Sequence, residues 1–193
     1  MKKILFVNSC VNRDKSRTMR LSKSLLDLLQ EKESDVQIEE LILENENIQA
    51  LNSITLEKRL SLVKEEKFED DMFKYAHQLM DADCIVIAAP YWDLGFPAML
   101  KNYIESTSVA GLTYKYSETG RPIGQCKGQM IYYVTTCGGF IRNLNLGYDT
   151  IKALAGLFGI NDSKCISAEG LDIITNDVEE ILKKAIMEMP NNL

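Results

Sequence analysis

Ser9-Cys10-Val11-Asn12-Arg13-Asp14-Lys15-Ser16-Arg17-Thr18 gathers three hydroxyls (Ser9, Ser16, Thr18) and three cations (Arg13, Lys15, Arg17) in ten residues without a glycine. A helical pattern starts at its far end. Free amides and the positive end of a helix dipole favour an anion at such a point. Hydroxyls beside a helix N-terminus suit a phosphate monoester. The cations stand out because the chain as a whole carries a net charge of -6. Taken alone, the segment also reads as an ordinary Ser/Thr helix cap in a solvated basic loop.

Two further segments sharpen the first. Cys84-Ile85-Val86-Ile87-Ala88-Ala89 is an apolar run that stops at Pro90 and opens into Tyr91-Trp92-Asp93-Leu94-Gly95-Phe96 before Pro97. A buried parallel strand delivering its C-terminal loop to a ligand crevice reads this way. The other segment is Thr136-Cys137-Gly138-Gly139-Phe140. Gly138 and Gly139 let backbone approach a flat ring closely. Their amides suit the pyrimidine edge of a flavin, and Trp92 and Leu94 suit its face. With the phosphate loop, the three segments fit FMN. Trp92 also reads as a plain core residue, but its place beside a Pro and a Gly in a strand-end loop favours partial exposure.

The elements that must hold these loops alternate along the chain. Apolar runs predict strands at residues 4–7, 36–43, 85–89, 130–136 and 165–168. Leu21, Leu25, Leu28 and Leu29 recur at helical spacing within 18–30. Helices are also predicted at 67–81, at 97–106 with Pro97 in the first turn, and at 148–158, stopping at Gly159. A last helix opens at Asn176 with Glu179 three residues on. Five strands with helical crossovers make a doubly wound parallel sheet in one domain spanning 1–193. The first loop lacks G-x-G-x-x-G, the mark of the order 3-2-1-4-5. In the order 2-1-3-4-5 the crevice opens between strands one and three, where all three loops end. Residues 44–66 are polar and read either as an inserted lid or dimer-facing excursion, or as a solvated connection.

Bulk properties narrow the class. With 46% hydrophobic and 26% charged residues, 193 residues are enough for a sizeable core. The negative balance disfavours nucleic acid and anionic membrane as partners. No apolar run approaches a membrane span, and the N-terminal run is too short for a signal peptide. Five cysteines, Cys10, Cys84, Cys126, Cys137 and Cys165, are odd in number and lack a CxxC pair. With one histidine they assemble no obvious metal site. A reducing cytoplasm fits them. Cys84 and Cys165 read as core residues, and His77 as a solvated helical position.

On these residues a resemblance becomes definite. Ala89-Pro90-Tyr91-Trp92-Asp93-Leu94, then Leu100-Lys101-Asn102-Tyr103, resembles the flavin-ring loop and helix of the flavodoxin-like NAD(P)H oxidoreductases, the family of quinone reductases and FMN-dependent NADH azoreductases. Ala110-Gly111-Leu112-Thr113-Tyr114-Lys115-Tyr116-Ser117-Glu118-Thr119-Gly120 resembles the segment that follows in azoreductases. Lys127-Gly128 and Thr135-Thr136-Cys137-Gly138-Gly139 resemble the third loop. The likeness is nearly continuous over 84–140, weaker over 1–30, and does not cover 44–66. It implies a flavodoxin-like five-stranded fold and bound FMN. NADH or NADPH would be the donor and a quinone or azo compound the acceptor, in two half-reactions. It also implies a homodimer whose flavin sites are completed across the interface. Carried over, Ser9, Ser16, Arg17 and Thr18 hold the phosphate end. Pro90, Tyr91, Trp92, Asp93 and Leu94 line the ring. Thr136, Cys137, Gly138 and Gly139 hold the pyrimidine side, and Tyr114 and Tyr116 wall the substrate cavity.

Some positions depart from the family pattern. Azoreductases usually carry Asn where Asp93 stands, and a carboxylate near the ring disfavours a negatively charged reduced flavin. Quinone reductases of the animal type place a Tyr and a His after Gly-Gly; Phe140-Ile141-Arg142-Asn143-Leu144 holds neither. Cys10 replaces a second hydroxyl often found after Ser9. The alternatives are a flavodoxin-type electron carrier and a non-catalytic FMN-binding sensor or interaction protein. The long basic first loop and the 110–120 segment count against the carrier.

Overall fold

Segments apolar on both faces must be covered on both faces, and the three central strands are. The computed structural model describes residues 1–33 and 35–192; the side chains of Arg13 and Asn192, and Ser34 and Leu193, lie outside that description. In chain order the elements are β1 (Lys2–Asn8), α1 (Arg17–Lys32), β2 (Val36–Ile42), α2 (Ser53–Lys64), α3 (Lys74–Asp81), β3 (Cys84–Ala88), α4 (Ala98–Thr107), β4 (Tyr114–Tyr116), β5 (Pro122–Gly124), β6 (Met130–Thr136), α5 (Leu146–Phe158), β7 (Asp162–Ala168) and α6 (Val178–Glu188). The main sheet runs β2-β1-β3-β6-β7 with every neighbour parallel. This is the expected 2-1-3-4-5 order of the five sheet strands.

Side chains along a strand alternate between faces, and two cores follow. Leu5, Val7, Ile85, Ile87, Ile131 and Tyr133 pack with α4 and α5. Ile4, Phe6, Val86, Ala88, Tyr132 and Val134 pack with α1 and α6. β2 is an edge strand with a largely exposed pattern, as its mixed composition suggests. Cys84 and Cys165 are only partly buried, packed against these cores from the margin.

Several element expectations need correction. The helix predicted over 67–81 does not begin at 67. The Asp70 carboxylate accepts from Met72 N–H at 3.0 Å and starts a 3-10 turn, Asp71–Phe73, from which α3 continues. His77 is half-buried on α3, its Nε2 2.8 Å from the Phe68 carbonyl oxygen, and not a solvated position. The last helix is capped by Asp177, which accepts from Glu179 and Glu180 N–H; Asn176 instead donates to Gly170 O. Residues 44–66 contain the helix α2. Asn52 and Thr55 cap each other's backbone in a reciprocal box. Leu62 and Val63 pack on a small cluster of Phe73, Ala76, Val109 and Leu112. The Arg59 guanidinium donates to the carbonyls of Glu105 (2.8 Å) and Ser108 at the end of α4. Ile54, Leu56 and Leu60 are exposed.

The hairpin β4–β5 is an antiparallel pair outside the main sheet. Gly124 fixes its position. A Cβ there would lie 1.9 Å from the Phe158 carbonyl carbon and 2.0 Å from Gly159 N. Backbone therefore meets backbone at the C-terminal end of α5, where Gly159 turns with φ 78°.

Candidate cofactor site

β1 and β3 are neighbours, and their chain continuations diverge to opposite faces. A doubly wound sheet leaves a crevice at such a reversal. Three loops reach it, from β1, β3 and β6, and a fourth from β7 braces them.

The first loop is tied down mostly by its own hydroxyls. Ser9 is fully buried; its Oγ donates to Ala88 O at 2.7 Å and its N–H reaches the same oxygen at 2.9 Å. That pins the first loop to the end of β3. Thr18 is also buried, and its hydroxyl lies 2.6 Å from the Thr136 hydroxyl at the end of β6. Ser16 caps α1, its Oγ accepting from Met19 N–H at 3.1 Å. The N–H groups of Arg17 and Thr18 lie in the first turn, where no intrahelical acceptor exists. Arg17 Nη1 donates to Asp172 Oδ1 at 2.6 Å. Ser16 and Arg17 thus stand at the mouth of the helix, with Ser9 and Thr18 beneath them. Lys15 is exposed. The Arg13 side chain lies outside the described residues.

The second loop runs beside β6. Ala89 N–H donates to Val134 O (2.9 Å) and Tyr91 N–H to Thr136 O (3.1 Å). Trp92 and Gly95 then bracket a tight turn, Gly95 N–H donating to Trp92 O at 2.7 Å. Asp93 and Leu94 at its centre have φ of 50° and 65°. Two successive left-handed residues define a type I′ turn, which tolerates Asp but disfavours Leu. The turn holds Trp92 and Leu94 outward, 48% and 44% exposed. Leu146 N–H, at the start of α5, donates to Leu94 O (3.1 Å), and the Tyr91 hydroxyl donates to Leu144 O (3.0 Å). Leu144, Leu146 and Phe140 add exposed apolar surface that sequence reasoning did not assign to the site.

The third loop is doubled by the loop after β7. Cys137 N–H donates to Ala168 O, Leu171 N–H to Cys137 O, Asp172 N–H to Gly138 O and Gly170 N–H to Gly139 O. The Glu169 carboxylate accepts from Ile141 N–H at 2.8 Å. The two glycines differ. A Cβ on Gly139 would meet nothing within 4 Å, so that backbone is open to a flat ligand. A Cβ on Gly138 would fall 2.1 Å from Asp172 Oδ2. The space freed at Gly138 is taken by Asp172 and is not a ring slot. Sequence reasoning missed Asp172 and Glu169, which lie about thirty residues further along the chain.

Neither thiol at the rim is activated. Burial raises the Cys10 pKa above the ordinary thiol value, against a lowering contact with Ser16. Burial likewise raises Cys137, against the Gly139 N–H and with help from Glu169 and Asp172.

Tyr114 and Tyr116 are not at this rim. Their rings meet edge to face at 5.6 Å on the hairpin, which rests on the C-terminal end of α5. The Trp92–Gly95 turn rests on the N-terminal end. A helix of this length separates the two by roughly 20 Å. The structure brings residues 9–18, 90–94 and 136–139 together and leaves these two tyrosines apart.

A doubly wound α/β protein with its ligand crevice at the strand-order reversal is the class that fold and site define. The profile of a family described as a flavodoxin-like fold matches residues 2–193. The chain belongs to that family. Among its relatives, the FMN-dependent NADH:quinone oxidoreductase of Clostridium perfringens strain SM101 is 35% identical over 189 residues, 96% of this chain and 95% of the relative. The protein of the same name from Clostridium beijerinckii is also 35% identical, with the same coverage of both chains. The azoreductase of Bacillus anthracis strain Sterne superposes with a TM-score of 0.86 at 24% identity, covering 100% of this chain and 98% of that one. An FMN-dependent NADH-azoreductase of the Ames Ancestor strain, solved in complex with FMN, gives 0.84 at 23%, covering 100% and 97%. At such identities the structural likeness speaks to the fold.

Proposed function

We propose that this protein is an FMN-dependent NADH oxidoreductase that reduces quinones, azo compounds or both. The observation that carries the reading is the bonding of three loops into one rim: Ser9 to Ala88, Tyr91 to Thr136 and Thr18 to Thr136. The residues present fit FMN. The first turn of α1, capped by Ser16 and flanked by Arg17, offers donors to a phosphate monoester. Ser9 and Thr18 keep that turn in place from below. Pro90, Tyr91, Trp92, Asp93 and Leu94 line one side of the ring. Of the third loop, the open backbone of Gly139 would meet its pyrimidine edge, with Thr136, Cys137 and Gly138 held in place behind it. When bound, FMN would supply the hydride-transfer chemistry between NADH and the acceptor. The chain's part is to orient ring and substrate and to set the charge around them. No side chain is assigned as a proton relay.

The relatives' names support the donor and the acceptor class. The position of Tyr114 and Tyr116 supports a homodimer. On a hairpin at the opposite end of α5 from their own chain's crevice, they are free to meet the crevice of a second copy. No helix among the described residues is long and apolar enough to cross a membrane, and five free cysteines suit a reducing cytoplasm.

The test is direct. The purified protein is expected to be yellow, to bleach with NADH without oxygen, and to consume NADH steadily with a quinone and no partner reductase. A colourless protein that refuses micromolar FMN overturns the reading. Bound flavin without turnover of any acceptor moves it to the sensor class. Sedimentation is expected to show a dimer, and a monomer at full activity removes the shared cavity.

A further inference from the structure

Two arginines of α1 are paired to acids that follow β7 in the chain, and they are paired differently. Arg20 grips Glu179 through two parallel contacts, Nη1 to Oε1 and Nη2 to Oε2, both 2.6 Å. That fork-to-fork geometry is strong and directional. Arg17 meets Asp172 through the single contact Nη1 to Oδ1. Arg17 is also the residue at the helix mouth, in the first turn of α1. Its guanidinium is thus held more loosely and stands where a phosphate monoester would be received.

The backbone of Asp172 stays in place whichever way that guanidinium turns. Its N–H is bonded to Gly138 O at 2.9 Å, and Leu171 and Gly170 are bonded to Cys137 and Gly139 on either side. Its carboxyl group fills the notch that a Cβ on Gly138 would need, with Oδ2 at 2.1 Å and Cγ at 2.8 Å from that point. The negative charge is fixed to the third loop while its positive partner belongs to the first.

We propose that Asp172 is a positioning residue that sets the cofactor affinity of this site by competing with the phosphate of FMN for Arg17. The inference rests on the FMN reading above. A phosphate that draws the guanidinium toward α1 leaves the Asp172 carboxylate unpaired and near a second negative group. The cost falls on phosphorylated flavin alone, since riboflavin has no group for Arg17. Both side chains keep contact with water, so the effect is that of a part-exposed ion pair and not a buried one.

The test compares FMN and riboflavin by fluorescence titration of the full chain freed of flavin. Asp172→Asn keeps the shape that fills the Gly138 notch and removes the charge. It is expected to tighten FMN by roughly fivefold, the scale of an exposed ion pair, and to leave riboflavin unchanged. Arg17→Gln is expected to weaken FMN alone, and in that background Asp172→Asn should have no further effect. Unchanged or weaker FMN binding by Asp172→Asn overturns the proposal and makes Asp172 a mere buttress. Equal tightening of riboflavin also overturns it, since the effect would not pass through the phosphate. If the unsubstituted protein binds neither ligand, the flavin reading itself fails. If it binds both and the Asn variant is inert, only the role of Asp172 fails.

Discussion

The two ends of α5 meet the rest of the molecule with different closeness. At its N-terminal end the contacts to the Trp92–Gly95 turn and to Tyr91 are hydrogen bonds to carbonyl oxygens, with apolar side chains left outside. At its C-terminal end Gly124 brings the hairpin backbone against the backbone of Phe158 and Gly159. Hydrogen bonds to loops allow small adjustments, whereas backbone in van der Waals contact with backbone allows almost none. The two ends differ in degree: a Cβ on Gly147 at the rim would lie 3.3 Å from the Gly95 main chain, whereas one on Gly124 at the far end would lie 1.9 Å from that of Phe158, where Cys126 N–H also donates to Phe158 O.

That contrast orders the expected effects of substitution. Gly124→Ala places a methyl group into main chain that cannot move, and a loss on the order of 3 kcal/mol is expected from thermal melting. FMN affinity should stay within about twofold because the sites are far apart. Turnover should fall if the hairpin tyrosines serve a second copy. A retained Tm would break the contrast. Arg59→Met removes the donors to Glu105 O and Ser108 O. The expected cost is about 2 kcal/mol by denaturant titration, with cofactor binding again spared.

At the rim the effects are smaller. Asp93→Asn leaves the left-handed turn intact, since Asn tolerates that conformation. It should raise the flavin potential by on the order of 30 mV, the two-electron equivalent of ~1.4 kcal/mol. An unchanged potential means that the carboxylate does not sense the ring. Ser16→Ala removes the cap of α1 and should cost about 1 kcal/mol of stability. Its FMN affinity should drop while riboflavin is unaffected. The smallest contrast concerns thiols. Burial pushes Cys84 and Cys126 up to about 12 and Cys165 to about 11. A raised pKa means less thiolate at a given pH, about one part in a thousand for Cys165 at pH 8. Alkylation at that pH should be slow at both ends, and a fast-reacting thiol would locate an opening in the fold.

The sheet was legible because β1, β3 and β6 carry uninterrupted apolar runs that only a doubly covered strand accepts. The rim was legible because its loops follow those runs directly. α2 was not, since its apolar residues form no single stripe and none becomes fully buried; its one local signal is the Asn52–Thr55 box. The start of α3 was misread because Phe68 and Met72 continue a helical spacing that the Asp70 cap interrupts. Asp172 was invisible for a different reason. Its role depends on pairing between the β6 and β7 loops, and nothing local in Leu171-Asp172-Ile173 announces it. Gly138 was read as space for a ligand because sequence alone does not say which neighbour fills a missing side chain.

The Thr18–Thr136 contact has a consequence in hydrogen count. Two hydroxyls in mutual contact use one hydrogen between them and leave the other unspent. Thr18 is sealed and Thr136 is partly open, so when Thr18 donates inward the remaining O–H of Thr136 faces the crevice. In that arrangement the crevice gains an uncharged donor, one that can meet a carbonyl oxygen without adding to the local field.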